Sequence, residues 1–143
     1  MKNVPADSEF FACRGCVCSA LRRAGRAVTQ HFERSFRGTG LRATQFSLLA
    51  LLAQTGPLPV SVLAGKLGLE RTTLTRNLRP LAAMGLVRVG SVEVDQRVRR
   101  IELTAEGRAA ARKALAAWRA AQASVGPILD RLKLKSLLKA GHE

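Results

Sequence analysis

The chain has no run of apolar residues long enough to cross a bilayer. Its longest, from Phe46 to Ala53, is interrupted by Ser47 and suits a buried helix. A signal peptide is lacking as well, because Asp7 and Glu9 stand where its apolar segment would have to lie. These absences lead us to expect a cytoplasmic protein, whose cysteines are reduced at rest. Acidic residues are scarce: 10 Asp and Glu stand against 24 Lys and Arg, for a formal net charge of +14. So basic a balance points to a polyanionic partner, nucleic acid or an acidic membrane surface. Catalytic signatures are missing too. We find no Ser/His/Asp set, no paired carboxylates in an expected cleft and no phosphate-loop glycines, which argues against an enzyme.

What is present fits one ordinary globular domain over residues 1–143, with 47% apolar and 24% charged residues. The positive charge is spread along it. Residues 1–43 carry eight Lys and Arg against three acids, residues 60–104 eight against four, and residues 105–143 eight against three. Bulk charge therefore raises non-specific affinity for DNA without locating a site.

Periodicity supplies the organisation. Residues 1–12 read as a loose arm. From Val17 an apolar stripe runs through Leu21, Ala24, Val28, Phe32 and Phe36, one face of a long helix that Gly38-Thr-Gly40 ends. Thr44 is placed to cap a second helix, apolar nearly all round, that Gly56-Pro57 stops. A third helix is expected over Val60–Leu67, closed by Gly68, and a fourth over Arg71–Met84, closed by Gly85. The period then changes to two. Val87 and Val89, then Ile101 and Leu103, alternate with polar residues or glycine, which predicts a hairpin with its loop around Ser91–Arg97. Thr104 caps a fifth helix to about Val125, with a seam of Ala111, Leu115, Trp118, Gln122 and Val125. Gly126-Pro127 breaks it, and a basic amphipathic helix follows from Ile128 to about Ala140.

Helix, tight turn, helix, strand, basic loop, strand is the layout of a winged helix-turn-helix, which holds one helix in the major groove. On the fourth helix Leu74, Leu78 and Leu81 share one face. Arg71, Thr72, Thr73, Thr75, Arg76 and Arg79 are left pointing mostly outward. Arg can bond guanine O6 and N7 together, and Thr offers a hydroxyl and a methyl. Arg79 is expected to reach phosphate. A merely solvated basic face is the plainer alternative, and the basic hairpin that follows weighs against it. Pro80 should bend this helix, since it cannot donate to the Arg76 carbonyl. In the hairpin, Arg97, Arg99 and Arg100 follow Asp95. An arginine at a loop tip can enter the minor groove, and a carboxylate two residues earlier can hold its guanidinium.

Cys13, Cys16 and Cys18 cluster at the start of the first helix. The positive end of a helix and Arg14 favour oxidation or soft-metal binding there. No fourth Cys or His follows at finger spacing, which argues against a structural zinc. Small buried hydrophobes without a role are the alternative. Phe32 and Trp118 read as core or interface in preference to a ligand pocket, and His31 and His142 as without specific role.

Several segments together resemble the MarR family of bacterial transcription regulators: Leu63-Ala64, Gly68-Leu69, Arg71-Thr-Thr-Leu-Thr-Arg-Asn-Leu78, Met84-Gly-Leu-Val87, Asp95-x-Arg97 and Leu103-Thr-Ala-Glu-Gly107. The resemblance covers about residues 17–125. It implies a homodimer built from N- and C-terminal helices, a pseudo-palindromic operator, Arg97 in the minor groove with Asp95 holding it, and repression. It also implies a small-molecule effector between the dimer helices and the DNA lobes, or sensing of oxidants or metals by cysteine. The expectation is thus a mainly helical α+β protein. Residues 44–104 form its winged helix-turn-helix, and residues 1–43 and 105–143 its dimerisation helices. DNA contacts are assigned to Arg71, Thr72, Thr73, Thr75, Arg76, Arg79, Asp95, Arg97 and Arg99. Its partners are double-stranded DNA and a second copy. No cofactor is required. The effector expected first is thiol oxidation or a thiophilic metal ion at Cys13, Cys16 and Cys18, and second a small aromatic acid. A non-specific nucleoid binder and a thiol- or metal-handling protein on the same scaffold are the alternatives.

Overall fold

The computed structural model describes residues 7–92 and 95–132, with residues 91, 92 and 95–98 described by their backbone. A 3-10 helix (Ser8–Gly15) precedes α1 (Val17–Ser35), α2 (Ala43–Thr55), β1 (Leu58–Pro59), α3 (Val60–Leu67) and α4 (Arg71–Ala83). Then come β2 (Val87–Val92), β3 (Asp95–Leu103), α5 (Ala105–Ser124) and α6 (Gly126–Arg131). The fold is mostly helical with one small antiparallel sheet, ordered β1-β3-β2. Among the described residues no helix is long and apolar enough to cross a membrane.

The helix α2 is the hub. Phe46, Leu48, Leu49 and Leu52 are buried on it, together with Leu63 of α3, Leu74, Leu78 and Leu81 of α4, and Ile101 of β3. Phe36 from the end of α1 meets Phe46 at 5.1 Å between ring centroids. Thr44 does not cap α2. The cap position is Arg42, whose N–H donates to the Gln45 side chain at 2.9 Å, while Ala43 N–H donates to Glu33 Oε1 at 3.2 Å. A carboxylate from α1 thus satisfies one of the unpaired donors at the start of α2.

Helices α3 and α4 end by the same device. Gly68 and Gly85 take positive φ, at 63° and 72°. Leu69 N–H then donates to Ala64 and Leu86 N–H to Leu81, both at 2.9 Å, while each glycine N–H closes the shorter bond. These are Schellman motifs, in which glycine adopts the left-handed conformation at little cost and the leucine after it turns inward. The first sets the turn between α3 and α4; the second turns the chain into β2.

Thr104 caps α5, as its sequence position suggests: Oγ1 accepts from Gly107 N–H at 3.0 Å. It also donates to the Gly85 carbonyl at 2.6 Å, and Thr104 N–H donates to the Leu86 carbonyl at 3.2 Å. The segments Met84–Val87 and Leu103–Gly107 are therefore two halves of one interlock.

Several expectations are corrected. Residues 8–12 of the expected loose arm belong instead to the 3-10 helix Ser8–Gly15, in which Asp7 Oδ1 accepts from Glu9 N–H at 3.0 Å and Arg14 lies over the Phe11 ring at 4.2 Å. Leu58 and Pro59 form an edge strand, with Leu58 opposite Ile101; two residues are too few for an alternating pattern to show, and Pro is tolerated at an edge. Gly126-Pro127 does not only break α5 but opens α6, since proline's missing N–H costs nothing in a first helical turn. The rest of the expected helix, to Ala140, lies outside the described residues. The buried seam of α5 is Gly107, Ala111, Ala114 and Ala121. Leu115 is half-buried, and Trp118 and Gln122 are exposed in the single chain. Small residues let α5 approach α1 and α2 closely, and that rotates the larger ones outward.

Candidate nucleic-acid interface and effector elements

With Leu74, Leu78 and Leu81 driven into the core, helical geometry fixes what α4 shows to solvent. Arg71, Thr72, Thr75, Arg76, Arg79 and Pro80 line one open concave surface. Their spacing in sequence is the spacing of neighbours on one helix face. Thr73 is different: it is half-buried and off this surface, and its carbonyl accepts from Asn77 Nδ2 at 3.0 Å. The Thr75 hydroxyl donates to the Arg71 carbonyl at 2.9 Å, so it offers acceptor lone pairs and a methyl outward. Helix α4 continues through Pro80 to Ala83, and the exposed ring forms the end of the concave surface beside Arg79. None of the described acidic side chains lines this surface.

The hairpin is longer than expected. Val92 pairs with Asp95, so Asp95 and Arg97 belong to β3 and not to a loop. Near that end the register jumps from Ser91 opposite Arg99 to Val92 opposite Asp95. Residues 96–98 are thereby left without an opposite residue on β2, and Arg97 is in the middle of them. Bulges of this kind end regular pairing and re-aim side chains, and they are frequent next to functional sites. Nearer the core, Arg88 Nε donates to Glu102 Oε2 at 2.7 Å across the strands. That pair neutralises the base of the wing; beyond it, among the described side chains, Arg99 and Arg100 are exposed cations.

The three cysteines are free and exposed. Cys13 is in the 3-10 helix, Cys16 is the N-cap of α1 and Cys18 is in its first turn. Arg22 Nη2 donates to Cys18 Sγ at 3.5 Å. Among the described residues no group of three His, Cys, Asp or Glu is arranged to hold a metal ion. The apolar stripe of α1 is buried at Ala24 and Phe36, but Val17 and Leu21 are 70% and 49% exposed in the single chain. Phe10 and Phe11 add to that uncovered apolar surface.

Further features escaped the sequence reading. His31 Nε2 lies 3.0 Å from the Ala121 carbonyl and 3.0 Å from Ser124 Oγ, which fastens α1 to the end of α5. Between α2 and α5 is a cavity of about 380 Å³, lined by Phe46, Ser47, Ala50, Gln54, Leu115 and Trp118. An adjoining hollow adds Arg108 and Arg112 to Phe46, Ala50 and Leu115. The i, i+4 spacing of Cys18 and Arg22 was a readable signal; the His31 contact and the cavity are tertiary and left none.

Residues 41–98 match a family model described as the MarR family. The chain is similar to the transcriptional regulator MosR of M. tuberculosis, at 42% identity and a TM-score of 0.70, covering 90% of this chain and 96% of that one. Against MosR in complex with DNA the identity is 45% and the TM-score 0.69, covering 89% and 96%. BpsR of Bordetella bronchiseptica, whose DNA binding is regulated by 6-hydroxynicotinic acid, shares the fold at 23% identity and a TM-score of 0.72, covering 89% and 98%. No curated protein matches the sequence. The matched segment contains the exposed face of α4 and most of the hairpin, and the likeness to MosR extends over nearly the whole chain. This chain therefore belongs to the MarR family of winged-helix transcription regulators, which bind DNA as dimers, and it is not an enzyme.

Proposed function

We propose that the protein is a cytoplasmic repressor that reads a pseudo-palindromic operator as a homodimer and leaves it when the thiols of Cys13, Cys16 and Cys18 are oxidised. The observation that carries the reading half is the exposed Arg71–Pro80 face of α4, basic and backed by a leucine core. Arg71, Thr72, Thr75 and Arg76 meet base edges, Arg79 meets phosphate, and Thr73 contributes from the margin. Arg97, held by Asp95, enters the minor groove, and Arg99 adds backbone charge. Residues 44–104 form the reading lobe, and residues 1–43 and 105–143 bring two copies together. The uncovered Phe10, Phe11, Val17 and Leu21 support a partner at the N-terminal end. The DNA complex of MosR supports operator binding by a chain of this kind.

Arg76→Ala tests base reading. In a selection from randomised duplexes it is expected to change the preferred bases at defined positions of each half-site, besides lowering affinity by ~1–3 kcal/mol. Unchanged preferences with a uniform loss would recast Arg76 as a phosphate contact.

Thiol oxidation leads over a soft metal, because no three ligating side chains converge among the described residues of one chain. A second reading has its own support. The cavity between α2 and α5 is apolar, carries Trp118 and has Arg108 and Arg112 close by, which suits a small aromatic acid. No cofactor is needed in either case. Replacing all three cysteines with serine separates the two. Oxidant-driven operator release is expected to disappear in that variant, and release that persists unchanged rejects the thiol reading.

A further inference from the structure

Helix α1 has two sides of opposite character. Leu21, Ala24, Val28 and Phe32 form its apolar stripe. At about 100° per residue, Arg23, Arg26, Gln30 and Arg34 fall within about 80° of one another on the opposite side. All four are exposed. The helix contains one acid, Glu33, and its Oε1 is turned to the start of α2, 3.2 Å from Ala43 N and 3.8 Å from Arg42 Nε. None of the three arginines has an ion-pair partner among the described residues. At its C-terminal end the ridge opens on a hollow of about 600 Å³, where Gln30, Glu33 and Arg34 meet Arg37 and Arg42. This surface is separate from the reading face. Helix α1 packs on α2, α5 and α6, α4 packs on α2, α3 and β2, and the two hollows share no lining residue.

We propose that this ridge is a second DNA-binding surface, which holds the phosphate backbone of another duplex while α4 reads the operator. It rests on the operator reading only in giving α4 a duplex of its own. From Arg23 to Arg34 the ridge runs about 17 Å, a length over which one DNA strand presents about five phosphates. Guanidinium groups suit that partner, because their donor forks match phosphate oxygens. The hollow seats one phosphate among Arg34, Arg37 and Arg42. An acidic protein fits less well. Protein interfaces keep charge from their centres, whereas DNA interfaces are polar and strongly cationic. No large apolar side chain interrupts the ridge. An acidic membrane would take the apolar side of such a helix, and that side is committed: Ala24 and Phe36 are buried, and Val17 and Leu21 are assigned to the second copy. A second copy seated there leaves the ridge open.

The test saturates the full-length protein with a short unlabelled operator duplex, then titrates in a fluorescent duplex of equal length and unrelated sequence. Anisotropy reads the ternary complex. Wild type is expected to take up the second duplex at low salt. Arg23→Gln, Arg26→Gln and Arg34→Gln combined should weaken that step about tenfold or more and lower its salt slope by about three ions. Affinity for the short operator itself should stay as in wild type. The matching lysine substitutions should keep most of the second binding. Arg112→Gln, Lys113→Gln and Arg119→Gln combined remove the same charge from α5, and should cost the second duplex far less. A wild type that forms no ternary complex overturns the proposal. So do equal losses in the two glutamine triples, which would make bulk charge the cause. A ridge triple that loses the short operator as well also overturns it, since the ridge would then touch the first duplex. Polyglutamate and phosphatidylserine vesicles are offered in place of the second duplex; ridge-dependent binding of either, tighter than DNA, rejects DNA as the occupant. Failure of the operator reading appears as a first duplex bound without sequence preference, and failure of the ridge as a missing second one, so the two are read apart.

Discussion

Gly107→Ala is expected to lower stability by ~3 kcal/mol or more, although it replaces glycine with the best helix former in a helical position. A Cβ on Gly107 would lie 1.9 Å from the Leu86 carbonyl oxygen and 2.7 Å from Leu103 Cδ1. The first of these is a backbone atom that already accepts Thr104 N–H, so it cannot give way without opening the interlock. A helix-propensity gain of ~1 kcal/mol does not offset that overlap. The melting temperature should fall by ~10 °C at fixed protein concentration. Gly65→Ala in α3 is the control: its Cβ would meet nothing within 4 Å, and the substitution should be neutral or stabilising by up to ~1 kcal/mol. Equal melting temperatures for Gly107→Ala and wild type would contradict the interlock.

The second large effect is on binding. Arg97→Ala should cost ~1–3 kcal/mol of operator affinity and reduce the salt dependence of binding by about one ion. The argument is positional. Arg97 stands in the unpaired stretch of β3, past the Arg88–Glu102 pair that closes the base of the wing. In the proposed reading an arginine at this position enters a narrow minor groove, where the potential is most negative. Asp95→Ala should reproduce part of the loss, because a freed guanidinium has more conformations to give up on binding. Titration of one labelled operator with all three proteins measures both effects. An Asp95→Ala protein that binds as tightly as wild type rejects the supporting carboxylate.

Most of the fold was legible in the sequence because its signals are local. Leucines at 74, 78 and 81 fix the buried side of α4, Gly68 and Gly85 fix two helix ends, and the change of period after Val87 fixes the hairpin. Three features were not legible, each for a physical reason. The β1 strand is two residues long and exists because Leu58 and Pro59 lie beside Ile101 and Arg100. The rotation of α5 follows from close packing by alanines, whereas periodicity alone favours its larger apolar residues. The third is the role of Gly107, which depends on a carbonyl 21 residues away and was visible only as part of a motif. For the candidate interface, the exposure of Arg71, Thr72, Thr75, Arg76 and Arg79 on one side of α4 followed from helical geometry. Thr73 is the exception, since it lies between the two faces and its burial depends on the packing of its neighbours.

Protection of the DNA upstream of the gene tests the central claim most directly. The account predicts two protected half-sites related by a dyad, their centres about one helical turn apart, at protein concentrations that leave flanking DNA open. Uniform protection along the fragment, without a dyad and with affinity set by salt alone, would contradict it and make the protein a non-specific binder.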